Sequence, residues 1–256
     1  GGLRQAAGHH ALVGAAVVGE FVVDRPDEGE FVGDFGVPGK QFADFDAGDV
    51  GLDGPEITTV FGRGIGLEVV RIGVRDMDRE RGAPRELFTR DLESIVRDPD
   101  IDIILELIGG LDPAESLIEA ALSHGKHVVT ANKELIAKQG HALMRRAASQ
   151  GLDLHFEAAV GGGIPLIQPL KHQLAGNDVL KLMGIVNGTT NYILSKMTQE
   201  GRAFDEVLQE AQAAGYAEAE PSSDVDGFDA QYKLSILSSI AFGGEVRPEK
   251  IPTEGI

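Results

Sequence analysis

From about residue 67, short apolar runs alternate with amphipathic segments. The runs "LEVVRIGVRD" (67–76), "IDIILELIGG" (101–110), "KHVVTAN" (126–132) and "LDLHFEAAV" (152–160) are typical of buried strands. The segments between them predict helices, including "DPAESLIEAALSHG", in which Asp112 could cap the first turn. Strands alternating with helices predict an α/β fold with a Rossmann-like parallel sheet, which binds nucleotides at the carboxyl ends of its strands.

The pattern changes after residue 160. "GGGIPLIQPLKHQLAG" turns into a helix, "DVLKLMGIVNGTT" predicts a strand leading to a polar loop, and two amphipathic helices follow. An apolar helix, "AQYKLSILSSIAFGG", comes near the end. We therefore predict a nucleotide-binding domain over 67–156 and an α+β substrate and dimerisation domain over 157–256, which we expect to be truncated.

The first 66 residues look different. They hold 15 of the 34 glycines, without a regular spacing, and most of this stretch has no sustained strand or helix pattern. We interpret it as an atypical segment in place of the first βαβ unit. The apolar run at 11–23 contains Glu20, and a degenerate signal sequence is a weaker alternative for it. Because the chain begins with Gly, we expect a processed or incomplete product.

Charge and cysteine content narrow the classes of protein. The net charge is −18, which argues against nucleic acid or an anionic membrane as the main partner. No apolar run reaches the roughly 18 residues of a membrane span. The absence of cysteine excludes disulfides and thiolate chemistry, and agrees with a cytoplasmic location.

Four polar or glycine-rich loops follow predicted strands. They are "LIGG" (107–110), "TANKE" (130–134, beginning at Thr130), "EAAVGGGIP" (157–165) and "VNGTTNY" (186–192). Loops after parallel strands meet at one edge of the sheet, so together they indicate a cofactor crevice. Lys133 opens a helix, where the helix dipole disfavours a cation. It is either solvated or faces an anionic group of substrate or cofactor.

The stretch "GYAEAEPSSDVDGFDAQYK" (215–233) is crowded with carboxylates and ends on Lys233. Asp229 and Lys233 lie four residues apart, on one helix face. They form either an exposed ion pair or, since an apolar helix follows, a buried pair in which Lys233 could act as an acid. Glu218, Asp224 and Asp229 would suit a substrate ammonium.

Several phrases resemble homoserine dehydrogenase: "ELIGG", "GKHVVTANKELIAKQG", "FEAAVGGGIPLIQPLK", "GIVNGTTNYILSKM" and "AQAAGYAEAEPSSDVDGFDAQYK". The resemblance implies reduction of L-aspartate 4-semialdehyde to L-homoserine with NADPH or NADH, on the route to threonine, methionine and isoleucine. It also implies a homodimer.

The resemblance assigns roles to individual positions. Lys233 matches the proton donor, and Lys133 a second active-site lysine. The substrate-binding positions are Glu218, Asp224 and Asp229. The cofactor-binding positions are Lys133, Asn187, Gly188, Thr189 and Gly215. Thr130 and Arg75 are added as candidate cofactor-binding residues because they lie at the ends of predicted strands. A monovalent cation, normally sodium, would be held mostly by backbone carbonyls at Glu157, Val160, Gly162 and Ile164.

The chain departs from the family in three places. The family begins with a strand, a glycine-rich fingerprint and a helix, whereas "VFGRGIG" (60–66) runs directly into a strand. The family continues beyond "EGI", and Glu220 stands where it usually has Asp. The alternative is therefore an inactive member without a competent dinucleotide site. Arg75, after the "VRIGVRD" strand, is placed to read a 2′-phosphate and favours NADP.

Overall fold

The computed structural model describes residues 11–19, 22–24, 32–34, 58–61, 65–79 and 83–256. These residues divide into two compact units. The first contains all described residues up to 132, together with 142–155. The second contains 133–141 and 156–256.

The first unit contains the strands. In chain order they are β1 (Ala11–Gly19), β2 (Val22–Asp24), β3 (Val32–Asp34), β4 (Thr58–Phe61), β5 (Ile65–Gly73), β6 (Phe88–Thr89), β7 (Ile103–Leu107), β8 (His127–Thr130) and β9 (Leu154–His155). β2 and β3 form a separate antiparallel pair. The other seven form one sheet in the order β4-β5-β1-β7-β8-β9, with β6 also paired to β5.

The sheet is parallel except for β4, which pairs antiparallel with β5. The strand order runs outward in both directions from β1, towards β5 on one side and β7 on the other. Such a reversal creates a crevice at the carboxyl ends of the two adjoining strands, where α/β proteins bind their ligands. The predicted α/β, Rossmann-like fold is confirmed.

Residues 11–19 belong to the segment that we interpret as standing in place of the first βαβ unit, and they form the strand β1. β1 lies at the centre of the sheet, and Ala16, within it, is completely buried. Its sequence "ALVGAAVVG" is rich in small residues with low strand propensity, but a central strand is determined by pairing and burial. Residues 20–21 and 25–31, where a fingerprint would follow, and 62–64 of "VFGRGIG" lie outside the described residues.

Seven α-helices are described. They are α1 (Leu92–Arg97), α2 (Ala114–Ser123), α3 (Lys133–Ser149), α4 (Gly188–Glu200), α5 (Phe204–Ala213), α6 (Ser222–Val225) and α7 (Phe228–Ala241). α3 is shared by both units. None of the described helices is long and apolar enough to cross a bilayer. The proposed cap of α2 is wrong, because Pro113 occupies the position before Ala114 and no side chain caps that end.

The second unit differs from the sequence prediction in its strands. Among residues 156–256 no strand is present, and the predicted strand at 178–186 is irregular. Leu180, Met183 and Ile185 are exposed there. A strand needs a neighbour for its backbone hydrogen bonds, and none is described in this unit. The predicted strand over 152–160 is limited to β9, followed by a 3₁₀ turn at Glu157–Ala159.

Candidate active site

Asp229 is the centre of a charged cluster in the second unit. It lies in the first turn of α7, after Gly227 in a left-handed conformation (φ +84°), and is 2% exposed. Its Oδ1 lies 2.8 Å from Lys133 Nζ and its Oδ2 lies 2.6 Å from Lys233 Nζ. One buried carboxylate thus binds two lysines from different helices.

The two lysines have different surroundings. Lys233 lies one turn after Asp229 on α7, its side chain is 13% exposed, and its Nζ also donates to the Val186 carbonyl at 2.8 Å. Lys133 begins α3 and its side chain is 39% exposed. The ion pair with Asp229 offsets the unfavourable position of Lys133 at a helix N-terminus. The buried alternative for the Asp229–Lys233 pair is therefore the one observed.

Asn187 connects this cluster to α4. Its Oδ1 accepts hydrogen bonds from the backbone N–H (2.8 Å) and the hydroxyl (2.9 Å) of Thr190, and so caps the helix. The amide nitrogen must then face the other way. It donates to Asp224 Oδ1 at 2.7 Å and to Asp229 Oδ2 at 2.8 Å. Asn187 therefore holds two carboxylates near each other without adding charge.

The lysines determine the charge state of Asp229. Burial, the largest single influence, disfavours the ionised form, but the charges and hydrogen bonds of Lys233 and Lys133 outweigh it. The pKa of Asp229 is consequently lowered below its usual value. At neutral pH the cluster holds an anion beside a mostly buried ammonium group, an arrangement that can hold a proton donor in place.

Other predicted site residues lie apart from these contacts. Glu218 is exposed, and within the described residues its carboxylate makes no hydrogen bond or ion pair with the cluster. Gly188 is the first residue of α4, while the buried Thr189 donates its hydroxyl to the Tyr216 carbonyl at 2.8 Å. Gly215 follows α5 with φ +74°, and Arg75 is exposed two residues after β5.

The first unit contains a polar network that the sequence analysis did not identify. Glu106, at the end of β7, accepts hydrogen bonds from Ile108 N–H, Gly109 N–H and the Thr130 hydroxyl. Asn132 Nδ2 donates to the Gly110 carbonyl at 2.6 Å. The sequence signal was a single Glu inside the apolar run "IIL-E-LI". Thr130, predicted to bind cofactor, has its hydroxyl within this network.

The loop after β7 fits a dinucleotide. Gly109 (φ +79°) and Gly110 (φ +69°) have left-handed backbones. Within the described part of the chain, and apart from their chain neighbours, no atom lies within 4 Å of the position a Cβ would occupy on either glycine. The pyrophosphate-binding turn of such a site would fall on residues outside the described ranges.

The proposed cation loop is organised by Glu157. Its carboxylate accepts hydrogen bonds from the backbone N–H groups of Leu166 (2.6 Å), Ile167 (2.8 Å) and Gln168 (2.9 Å). Gly161 and Gly162 have positive φ, which folds the loop between Val160 and Ile164. Among the described residues no group of three or more His, Cys, Asp or Glu side chains could hold a metal ion.

Family models and curated proteins that are similar to this chain name the same family. The family models "Homoserine dehydrogenase, NAD binding domain" and "Homoserine dehydrogenase" match residues 49–157 and 165–256. The homoserine dehydrogenase of Synechocystis sp. is 56% identical over 192 residues, which are 74% of this chain and 44% of that protein. This chain thus spans less than half the length of that relative.

Solved structures that are similar to this chain are also homoserine dehydrogenases. The homoserine dehydrogenase of Thiobacillus denitrificans has a TM-score of 0.72 and 50% identity, covering 75% of this chain and 45% of that one. A hyperthermophilic archaeal homoserine dehydrogenase in complex with NADPH has a TM-score of 0.68 and 25% identity, covering 96% and 74%. With both family models matched in sequence order and this identity to curated relatives, the chain belongs to the homoserine dehydrogenase family.

Proposed function

We propose that the protein catalyses the NAD(P)H-dependent reduction of L-aspartate 4-semialdehyde to L-homoserine. The observation that carries the proposal is the cluster in which Asp229 binds both Lys133 and Lys233. Family membership supports the reaction class. The product belongs to the biosynthesis of threonine, methionine and isoleucine.

Lys233 is the proposed proton donor. A bound nicotinamide would supply the hydride for the aldehyde carbon. Lys233 Nζ would donate a proton to the carbonyl oxygen as negative charge develops there. In the oxidative direction the same nitrogen accepts the proton from the hydroxyl. Asp229 and the Val186 carbonyl orient this ammonium group, at 2.6 Å and 2.8 Å from Nζ.

The remaining polar groups are proposed to bind the amino-acid end of the substrate. Asp224 and Glu218 supply carboxylates for its ammonium, and Asp229 adds negative charge to the same region. Lys133, whose side chain is more exposed than that of Lys233, is available to an anionic group of substrate or cofactor. Asn187 holds the carboxylates of Asp224 and Asp229 close together by donating a hydrogen bond to each.

The cofactor is proposed to be NADP in preference to NAD. β5 lies directly beside β1 in the sheet. In a doubly wound sheet, the residues that follow the strand beside the first one contact the ribose of the adenosine. Arg75 occupies that position and would attract a 2′-phosphate. We further propose that the carbonyls of Val160, Gly162 and Ile164, with Glu157, hold a monovalent cation, and that the protein is a cytoplasmic homodimer. Dependence of the activity on sodium tests the cation site, and analytical sedimentation tests the dimer.

The test of the proposed reaction is oxidation of NADPH by the purified chain in the presence of aspartate semialdehyde. We expect turnover in the wild type and in Lys250→Ala, an exposed lysine of the same unit, and none in Lys233→Ala. A Lys233→Ala variant that turns over at the wild-type rate refutes the assignment of the proton donor. Absence of both turnover and NADPH binding in the wild type favours the alternative, an inactive member of the family.

A further inference from the structure

Glu106 is a completely buried acidic residue that the proposed chemistry does not use. It lies near the end of β7, between β1 and β8, where its backbone is in register with Val18 and Thr130. A buried carboxylate is costly unless its oxygens are hydrogen-bonded. Oε1 lies 2.7 Å from Ile108 N and 3.3 Å from Gly109 N, and Oε2 lies 2.6 Å from Thr130 Oγ1.

These hydrogen bonds join two loops. On one side, Glu106 holds the backbone that follows β7. On the other, the Thr130 hydroxyl that donates to Glu106 also accepts the N–H of Asn132 at 2.9 Å, and Asn132 Nδ2 returns to the Gly110 carbonyl. The network forms a closed path between the ends of β7 and β8. One carboxylate therefore accepts hydrogen bonds from groups in both loops.

The network lies where a parallel sheet binds its ligand. β7 adjoins β1, at the point from which the strand order runs outward in both directions. At Gly109 and Gly110, which follow Glu106, no described residue other than their chain neighbours has an atom within 4 Å of the position of a Cβ. Replacing Glu106 by an apolar residue would leave the N–H groups of Ile108 and Gly109 and the Thr130 hydroxyl without this acceptor. The carboxylate thus ties the backbone arrangement of both loops to one side chain at the crevice.

We propose that Glu106 is a positioning residue of the dinucleotide site. It holds the Gly109–Gly110 and Thr130–Asn132 loops in the arrangement that receives the cofactor. The inference rests on the cofactor binding of the proposed function, and concerns neither the proton donor nor the substrate. Loss of Glu106 leaves the loops with several conformations, and the free energy of ordering them is then taken from cofactor binding.

Three variants test the proposal. Glu106→Leu removes every acceptor of the carboxylate, whereas Glu106→Gln keeps one oxygen for Ile108 and Gly109 N–H. Val128→Ala, a completely buried position in the neighbouring strand β8, is the control for general loss of stability. For each we would measure the melting temperature, the hydrogen exchange of the amides of residues 108 and 109, and the dissociation constant for NADPH by calorimetry.

In Glu106→Leu we expect those two amides to exchange at least about tenfold faster. The dissociation constant should rise by about ten- to a hundredfold, because one or two loop residues must then be ordered when the cofactor binds. Glu106→Gln should lie between this variant and the wild type. Val128→Ala should lower the melting temperature while leaving the dissociation constant within about twofold of wild type.

Equal dissociation constants for Glu106→Leu and Val128→Ala would overturn the proposal, since Glu106 would then act on stability alone. Unchanged amide exchange in Glu106→Leu would overturn it too. If the wild-type chain binds no NADPH, both the cofactor role of Glu106 and the proposed function fail. If the wild type binds NADPH, shows the expected pattern and does not reduce the semialdehyde, the proposed function fails and the role of Glu106 stands.

Discussion

Replacing Asp229 by Asn should destabilise the second unit strongly. The substitution keeps the shape of the side chain but removes the negative charge that lies 2.6 Å from Lys233 Nζ and 2.8 Å from Lys133 Nζ. Breaking a buried ion pair by removing one partner costs about 3–5 kcal/mol. Lys133 is more than a third exposed and contributes little, so we expect a loss near the lower limit, about 3 kcal/mol.

Tyrosine fluorescence in urea measures this loss. The chain has no tryptophan, and its three tyrosines, Tyr192, Tyr216 and Tyr232, all lie in the second unit. With a urea dependence of about 2 kcal/mol per molar, a loss of 3 kcal/mol lowers the midpoint by about 1.5 M. Asp226 is an exposed carboxylate just before α7, and Asp226→Asn is the matched control. It should change the urea midpoint by less than about 0.25 M.

The dependence on pH gives a second measure. Since the pKa of Asp229 is lowered in the folded protein, its ionisation stabilises the fold above the unfolded value of about 3.9. That stability is lost as the pH falls through the lowered pKa. Asp229→Asn should therefore lose less stability than Asp226→Asn between pH 5 and pH 3. A midpoint equal to the control at both pH values refutes the view that Asp229 is a buried, charged bridge.

Three further changes have definite expected results. The pKa of Glu210 is lowered to about 2 by Lys196, Tyr192 and Arg202, so the wild type should lose stability as the pH falls from about 4.5 to 2. Glu210→Gln should lose less stability over this range, measured as the urea midpoint of tyrosine fluorescence. Glu157→Ala leaves the N–H groups of 166–168 without their acceptor and should cost about 2–4 kcal/mol, seen as a lower urea midpoint; a shift within the range of surface substitutions contradicts this. Gly227→Ala should lower the melting temperature more than Gly176→Ala. The new Cβ at residue 227 would lie 2.9 Å from Thr253 Cγ2, and the backbone there has a positive φ that disfavours alanine. Equal melting temperatures of the two variants contradict this.

Features determined by neighbouring residues could be predicted from the sequence. β5, β7 and β8 were evident as apolar runs, α2, α3 and α5 as helical segments, and α7 as an apolar helix. The ion pair of Asp229 and Lys233 follows from their spacing of four residues on one helix. The family phrases also include Lys133, Asn187 and Asp224, which hydrogen-bond or pair within the same cluster.

Features that depend on distant partners could not be predicted in this way. β1 contains alanines and glycines and forms a strand because β5 and β7 pair with it on both sides. Conversely, residues 178–186 have strand-like composition but no strand beside them in the described part of the second unit. Strand formation is a property of the pair, so composition alone misjudged both segments.

The sequence by itself determined which chemical groups the protein has and which local elements carry them. Only the tertiary structure decided how those groups are connected: Lys133 to Asp229, Asn187 to both Asp224 and Asp229, and Glu106 to Thr130. The physical reason is that hydrogen bonds and ion pairs depend on separations of about 3 Å, which packing sets between elements far apart in the chain. Residue spacing fixes such distances only within one helix or one turn.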